Sequence, residues 1–281
     1  MMTEPTTDEE ILKGWIGRTE SATDTLHAGH ARKLAGTLDD PFDYSDSDPL
    51  PVCWHWAYFP SPSPQAQLGR DGHPERGDFL PPVALPRRMW AGSELTFEKR
   101  VLLGETVTKT STIENVAMKS GRSGQLCFVT IRHVFAGPDG DHRFTDRQTI
   151  VYRDDPKPGD PAPAPAQASP GDVLETVNPD PPLLFRYSAL TFNTHRIHYD
   201  RDYCINVEGY PGLVVHGPLQ ATLLARAASR DERRRAIKTI AFRAKAALYD
   251  TSSFTIAKGN GSYWTQSPQG GVGMSADVTF F

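Results

Sequence analysis

Between Asn193 and His198 the chain gathers an amide, two imidazoles and a guanidinium within six residues: Asn193, His195, Arg196 and His198. Imidazole changes charge near neutral pH, so such a cluster can take and return a proton. About twenty residues further on comes His216-Gly217-Pro218, at the mouth of an alanine- and leucine-rich segment. A helix opening there would aim free backbone N–H groups and the positive end of its dipole at whatever lies in front of it. Proton-moving groups ahead of a helix N-terminus are the parts needed for work on a carbonyl-activated substrate, whose oxygen gathers negative charge as it reacts.

Elements on both sides must hold these groups. His216 to Ser229 reads as the helix, with Ala221, Leu224, Ala225 and Ala228 making one face small and apolar, as close packing on a curved sheet requires. Leu183 to Thr191 is expected to run extended, and strands are expected over Thr239–Tyr249, Ser252–Ala257, Ser262–Gln266 and Gly273–Phe281. The first half repeats that order. Thr25 to Leu38 has helical spacing, and strands are expected over Glu94–Val101, Thr106–Val116, Leu126–Phe135 and Arg143–Tyr152, with a hairpin loop at Ser120–Gly124. Between them Asp39 to Pro86 is long for a loop, and Trp54, Trp56, Tyr58, Phe59 and nearby Trp90 give it aromatic weight. Proline recurs every second or third residue near 154–170, which favours an extended tether. The expected organisation is a disordered tail at 1–10, a first domain at 11–153, a linker at 154–178 and a second domain at 179–281. A helix with several antiparallel strands in each half makes the class α+β.

Composition narrows the function classes. At 281 residues, 38% hydrophobic, the chain can build a substantial core, and a net charge of −4 argues against a general nucleic-acid binder. Cys53, Cys127 and Cys204 lie far apart, which disfavours a disulfide framework or a zinc ribbon. No apolar run approaches the roughly 20 residues of a membrane span, and the acidic start lacks a secretory signal pattern, so a cytoplasmic protein is expected. No metal site stands out, since His195 and His198 have no third ligand at a recognisable spacing. A Gly-x-Ser-x-Gly elbow and a phosphate-cradling glycine loop with its lysine are both missing from the sequence.

Several segments together carry a family resemblance. They are Phe192-Asn193-Thr194-His195-Arg196-Ile197-His198-Tyr199-Asp200, Gly209-Tyr210-Pro211-Gly212-Leu213-Val214-Val215-His216-Gly217-Pro218 and Phe242-Arg243. The first half adds Trp15-Ile16-Gly17-Arg18, Phe79-Leu80-Pro81-Pro82, Pro86-Arg87-Arg88-Met89-Trp90 and Gly121-Arg122-Ser123-Gly124. In these the chain resembles the MaoC-like and type-2 hydroxyacyl-thioester dehydratases, in the branch that contains mesaconyl-CoA and itaconyl-CoA hydratases. The resemblance implies a double hot-dog, two curved antiparallel sheets each wrapped around a helix. The first domain would help form an acyl pocket and the second would carry the catalytic segment. It further implies reversible addition of water to an α,β-unsaturated acyl-CoA thioester with no cofactor, coenzyme A arriving as part of the substrate. The broader family pattern, Asp-x-Asn-Pro-x-His, keeps only its histidine here, at His198. Its aspartate falls on Asn193, an amide that cannot take a proton.

The roles that follow are a general base at His198, a water held by Asn193, orientation or relay by His195, and a Gly217 N–H donated to the thioester oxygen. Arg196, Tyr199, Arg243, Arg87, Arg88 and Trp90 are the candidate substrate contacts. Arg196 equally suits an ion pair with Asp200 or Asp202, Tyr199 suits packing, and His216 suits a cap. A basic group after the helix, Arg230, Arg233, Arg234, Arg235 and Lys238, is either a solvated helix end or a site for coenzyme A phosphates. A dicarboxylic acyl group would need a cation, for which Arg243 beside Phe242 is the expected source. A fatty-acid-type 3-hydroxyacyl dehydratase, a thioesterase and a non-catalytic acyl-CoA-binding module remain alternatives. No nucleic-acid or membrane partner is expected, and two hot-dogs in one chain suit a pseudo-dimeric monomer or a homodimer.

Overall fold

The computed structural model describes residues 4–121, 124–155, 164–232 and 235–281. In chain order the elements are α1 (Glu9–Lys13), β1 (Thr19–Thr25), α2 (Ala28–Thr37), β2 (Arg87–Phe97), β3 (Thr106–Gly121), β4 (Gly124–Ala136) and β5 (His142–Arg153). The second half gives β6 (Asp172–Val177), α3 (Pro181–Leu190), α4 (Arg201–Asn206), α5 (Gly217–Asp231), β7 (Ile237–Ala244), β8 (Phe254–Gly259), β9 (Ser262–Gln266) and β10 (Val272–Phe280).

Among the described residues ten strands form one sheet in the order β1-β3-β4-β5-β2-β7-β10-β9-β8-β6. Read from each edge inward, both halves place their first, third, fourth, fifth and second strands in turn. The chain therefore lays down the same five-strand pattern twice, and the copies join where β2 pairs antiparallel with β7, from Gly92↔Arg243 to Thr96↔Thr239. Helix α5 packs on β10, β9, β7, β8 and also on β2 across the seam. Its buried residues include Leu219, Leu223, Leu224, Ala225 and Ala228, so small side chains let it lie close to the sheet. Two buried polar side chains on it are satisfied: Thr265 donates to Gln220 Oε1 at 2.7 Å, and Thr222 to the Pro218 carbonyl at 2.8 Å. One continuous core joins α2, α3, α5 and the aromatic loop, taking in Leu34, Trp54, Tyr58, Leu184, Leu224 and Phe242. A smaller core on the other side of the first half closes Leu12, Val83, Ile113, Cys127 and Tyr152 together.

Several expectations need correction. Residues 183–190, expected extended, belong to α3: Asp180 caps the helix by accepting from the Leu183 N–H at 3.0 Å, and prolines occupy the first helical positions, where no N–H is needed. The linker expected over 154–178 contributes β6 near its end, which pairs with β8; residues 156–163 of the expected tether lie outside the described residues. The segment expected to be a disordered tail is tied down from Thr6, whose N–H donates to the Pro82 carbonyl at 2.8 Å, and α1 begins at Glu9. Strand β1 was not expected at all. Part of the hairpin loop, residues 122–123, lies outside the described residues. All three cysteines are free and buried, and among the described residues no helix is long and apolar enough to cross a membrane.

Candidate functional site

The segment after α3 is fixed before it reaches the helix mouth. The Asn193 side chain accepts from the His195 N–H at 3.0 Å, and a 3-10 turn over Arg196–His198 follows. Asp200 caps α4 by accepting from the Tyr203 N–H at 3.0 Å. His198 sits in that frame with 7% of its surface exposed. Its Nδ1 lies 2.7 Å from the Val214 carbonyl, which can only accept, so Nδ1 carries the proton and Nε2 keeps a free lone pair. Its ring stacks on His216, the residue before Gly217, with centroids 3.7 Å apart. Helix α5 thus opens directly beside the imidazole. The first N–H groups of a helix have no partner within it, and Gly217 supplies one of them.

His216 is wholly buried, and its Nε2 meets Ser188 Oγ at 2.8 Å. Trp90 lies over Gly217, where an added Cβ would come within 2.8 Å of the indole Cε3. Only a residue without a side chain fits under that ring. Trp90 also meets Trp56 edge-on, at 5.9 Å between centroids.

Two cavities, of about 540 and 520 Å³, open along the neighbouring segment, one against His195 and Ile197 and the other against Thr191–Thr194. The first has His195, Arg70, Arg87 and Tyr210 on its wall; the second has Asn193, Thr194, Trp56 and Lys109; His73, Pro74 and Arg88 border both. Among the described residues Arg88 makes no ion pair, whereas neighbouring Arg87 is committed to Asp155, at 2.8 Å, and to Glu208, at 3.2 Å. Arg196 is bound to Asp200 at 2.7 Å and to the Arg70 carbonyl at 3.1 Å, with Tyr203 beneath it, so it braces the fold. Tyr199 donates to the Thr194 carbonyl at 2.9 Å and fastens the same segment.

The expectation that Arg243 faces an acyl group is corrected. Buried Ile240 and Phe242 point inward, and strand alternation turns Arg243 outward to pair with Asp277 at 2.6 Å. The basic group after α5 stands at the far end of a 15-residue helix, roughly 22 Å from Gly217. There Arg235 donates to the Phe281 carbonyl at 2.9 Å and Arg230 approaches Asp40 at 3.9 Å; Arg233 and Arg234 lie outside the described residues.

Two groups were not foreseen. On the inner face of the first half, fully buried Asp146 accepts from His55 at 3.1 Å, Trp56 at 2.8 Å, Gln148 at 2.6 Å and Ser93. These four donors make its anion tolerable in the core; burial alone pushes its carboxyl up, and the His55 and Ser93 hydrogen bonds with the nearby His55 and His133 rings hold it well below the usual range. At the site itself, Asp71 accepts from His73 Nδ1 at 2.9 Å, and the His73 ring lies 4.1 Å from that of His195. Asp71, His73 and His195 bring one ligand atom each within 4.8 Å of one another. The Asp71–His73 hydrogen bond makes the set a dyad with a neighbour, and the Arg88 charge beside it opposes a cation. Their signal in the sequence was faint: Asp71-Gly72-His73 resembles any polar turn.

Burial, the largest cause in each case, pushes His73 and His133 down to about 4 and His195 and His198 to about 3, while His216 goes well below its ordinary value. These imidazoles are neutral in the fold, yet each binds a proton in the unfolded chain below about pH 6.5. Unfolding therefore takes up protons, and stability, full above that value, falls as pH drops toward 4. Urea titrations run between about pH 7.5 and 5 should show a steady fall in the midpoint; a midpoint that stays level would contradict the neutral cluster.

Residues 53–250 match the family described as hydroxyacyl-thioester dehydratase type 2. The chain is 45% identical over 274 residues to the mesaconyl-C(4)-CoA hydratase of Chloroflexus aurantiacus, covering 94% of this chain and 96% of that one. Among solved structures it is similar to HtdX of Mycobacterium tuberculosis (TM-score 0.65, 17% identity, 94% of this chain and 100% of that one). It is also similar to a Mycobacterium tuberculosis protein described as having a double hotdog fold (TM-score 0.59, 12% identity, 94% and 95% covered). At such identities the two structures speak for the fold, and they agree with the twice-used five-strand pattern. The chain is a double hot-dog hydro-lyase and belongs to the hydroxyacyl-thioester dehydratase type 2 family.

Proposed function

We propose that the protein adds water reversibly to the double bond of an α,β-unsaturated acyl-CoA thioester, and that its acyl group is a short branched dicarboxylic one of the mesaconyl or itaconyl kind. The observation that carries this is His198: a neutral ring, its Nε2 lone pair fixed by the Val214 carbonyl, stacked on the residue that precedes the α5 N-terminus. His198 accepts a proton from water as the oxygen attacks the β-carbon. The Gly217 N–H and the helix dipole hold the negative charge that moves onto the thioester oxygen. That proton is then returned to the α-carbon, so the addition closes with no cofactor. Asn193 holds the water through its amide, and His195 orients the transfer. Coenzyme A enters with the substrate, and the first cavity, with exposed Arg70 on its wall, suits its phosphates. The two halves of one chain complete the paired hot-dog, whether or not whole chains pair further.

Arg88 is the side chain that favours a dicarboxylic group. In a C4 thioester of mesaconate the free carboxylate sits on the β-carbon, beside the point of water attack. A guanidinium that makes no ion pair among the described residues, at the junction of the two cavities, is suited to that place. Purified protein incubated with crotonyl-, mesaconyl- and itaconyl-CoA tests the reading by loss of enoyl absorbance or by the appearance of hydrated product. Arg88→Gln should raise KM for mesaconyl-CoA by roughly 10- to 100-fold, the range for a lost charge-assisted hydrogen bond, and leave crotonyl-CoA, which has no carboxylate, within about threefold. Equal losses on both thioesters would remove Arg88 from carboxylate recognition. Preference for a long 3-hydroxyacyl chain would favour the fatty-acid-type dehydratase instead.

A further inference from the structure

We propose that Asp71 and His73, on a loop of the first half, supply the carboxylate–imidazole pair that the 193–198 segment lacks. The amide of Asn193 can neither carry a proton nor balance a positive charge. The only carboxylate grouped with the site histidines among the described residues is Asp71.

The loop is registered on the site segment with unusual closeness. The Arg196 N–H donates to the Asp71 carbonyl at 2.9 Å, Thr194 Oγ1 to the Gly72 carbonyl, and the Arg196 guanidinium to the Arg70 carbonyl at 3.1 Å. Gly72 has φ +85°, and an added Cβ would stand 2.0 Å from the Thr194 carbonyl oxygen, so no other residue permits this contact. Within the loop Asp71 uses both oxygens on His73: Oδ1 accepts from the backbone N–H at 3.0 Å and Oδ2 from ring Nδ1 at 2.9 Å. The second bond fixes the His73 tautomer and leaves Nε2 unprotonated. His73 then lies against His195, and His195 lies edge-on to His198 at 5.5 Å. When His198 takes the proton of water, a positive charge appears at one end of this row of rings, and the Asp71 anion stands at the other. The charge is transient: the proton goes back to the α-carbon, and nothing else is consumed.

The dyad acts through His195, so these are positioning residues. The charged and titratable groups that face it are Asp71, Arg88, His195 and His198; Asp71 favours a proton on the rings and Arg88 opposes it. Without Asp71 the guanidinium would stand alone beside the rings.

Asp71→Asn keeps the volume and the acceptor for the His73 N–H but removes the charge. This test rests on the hydratase reading for its kinetic arm. There kcat on crotonyl- or mesaconyl-CoA should fall by about 100-fold or more, as when a carboxylate behind a working imidazole becomes an amide, with KM within about threefold and the melting temperature little moved. Adding Asn193→Asp to that variant should restore kcat about tenfold, because it returns a carboxylate to the segment itself. A loop that is merely stapled would show neither effect, and kcat within threefold of the unaltered enzyme, or no recovery with Asn193→Asp, would overturn the proposal. A second arm needs no turnover: in ¹⁵N-histidine spectra His73 should carry its proton on Nδ1, and Asp71→Asn should shift both the His73 tautomer and the His195 resonances. Unmoved His195 resonances would overturn the pairing even if the unaltered protein hydrated no enoyl thioester, an outcome that would separately end the hydratase reading.

Discussion

His198→Asn should lower kcat by about 100- to 10,000-fold, the range for losing a general base, while the protein stays folded. The choice of asparagine matters. Its amide NH₂ can still donate to the Val214 carbonyl, now held by Nδ1–H at 2.7 Å, so the local frame survives. What disappears is a lone pair able to accept a proton. His198→Ala should be equally slow but also less stable, because it leaves that buried carbonyl unpaired and opens space against the His216 ring. The pH profile provides a second check. With His198 held down to about 3 by burial first, and by neighbouring His195 next, the base is already unprotonated through the neutral range. The acid limb of kcat/KM in the unaltered enzyme should therefore lie well below that of a solvated imidazole, since protonation alone switches the base off. An alanine variant with near-normal turnover would remove His198 from the reaction.

How much of this was legible in the sequence depends on how far apart the interacting residues lie. Strand β9 falls at Ser262–Gln266 as expected, and α5 starts at Gly217, one residue from the expected start. For α5 the helical spacing of its small apolar residues suffices. Strand β1 escaped notice because Thr-Glu-Ser-Ala-Thr-Asp-Thr has no apolar alternation. It is a polar edge strand whose Ser21, Thr23 and Thr25 hydroxyls pair with Thr110, Thr108 and Thr106 across β3. The α3 helix was misread from its β-compatible apolar residues, although Asp180-Pro181-Pro182 is a helix start by cap and proline alike. At the site the motif segment announced itself, but its supports did not. Asp71 and His73 come more than a hundred residues before His195, and contacts made only in the folded chain, those of the 70–73 loop with Thr194, His195 and Arg196, join them. Likewise Arg243 looked promising beside Phe242 until the pleat sent the two to opposite faces.

Gly217→Ala should cut kcat/KM by roughly 100-fold, the lower end of what loss of one oxyanion donor produces, with a stability loss of about 1–3 kcal/mol from crowding of the indole. The backbone itself accepts alanine, since Gly217 is not among the residues with positive φ, and alanine is a good helix former. The effect is therefore local to the mouth. A methyl group there would meet Trp90 Cε3 at 2.8 Å, closer than atoms tolerate, so either the indole moves or the methyl crowds the N–H that is to receive the thioester oxygen. Both outcomes misplace the substrate, and a misplacement of about 1 Å can cost 100-fold in rate. Trp90→Leu in the Gly217→Ala background separates them. If the damage comes through the indole, the double variant should recover much of the loss and the two substitutions should be strongly non-additive. If the methyl itself blocks the oxygen, the loss persists. A single Gly217→Ala variant with kcat/KM within threefold of the unaltered enzyme would show that the helix mouth does not hold the thioester, and the site would have to be sought along the cavity wall instead.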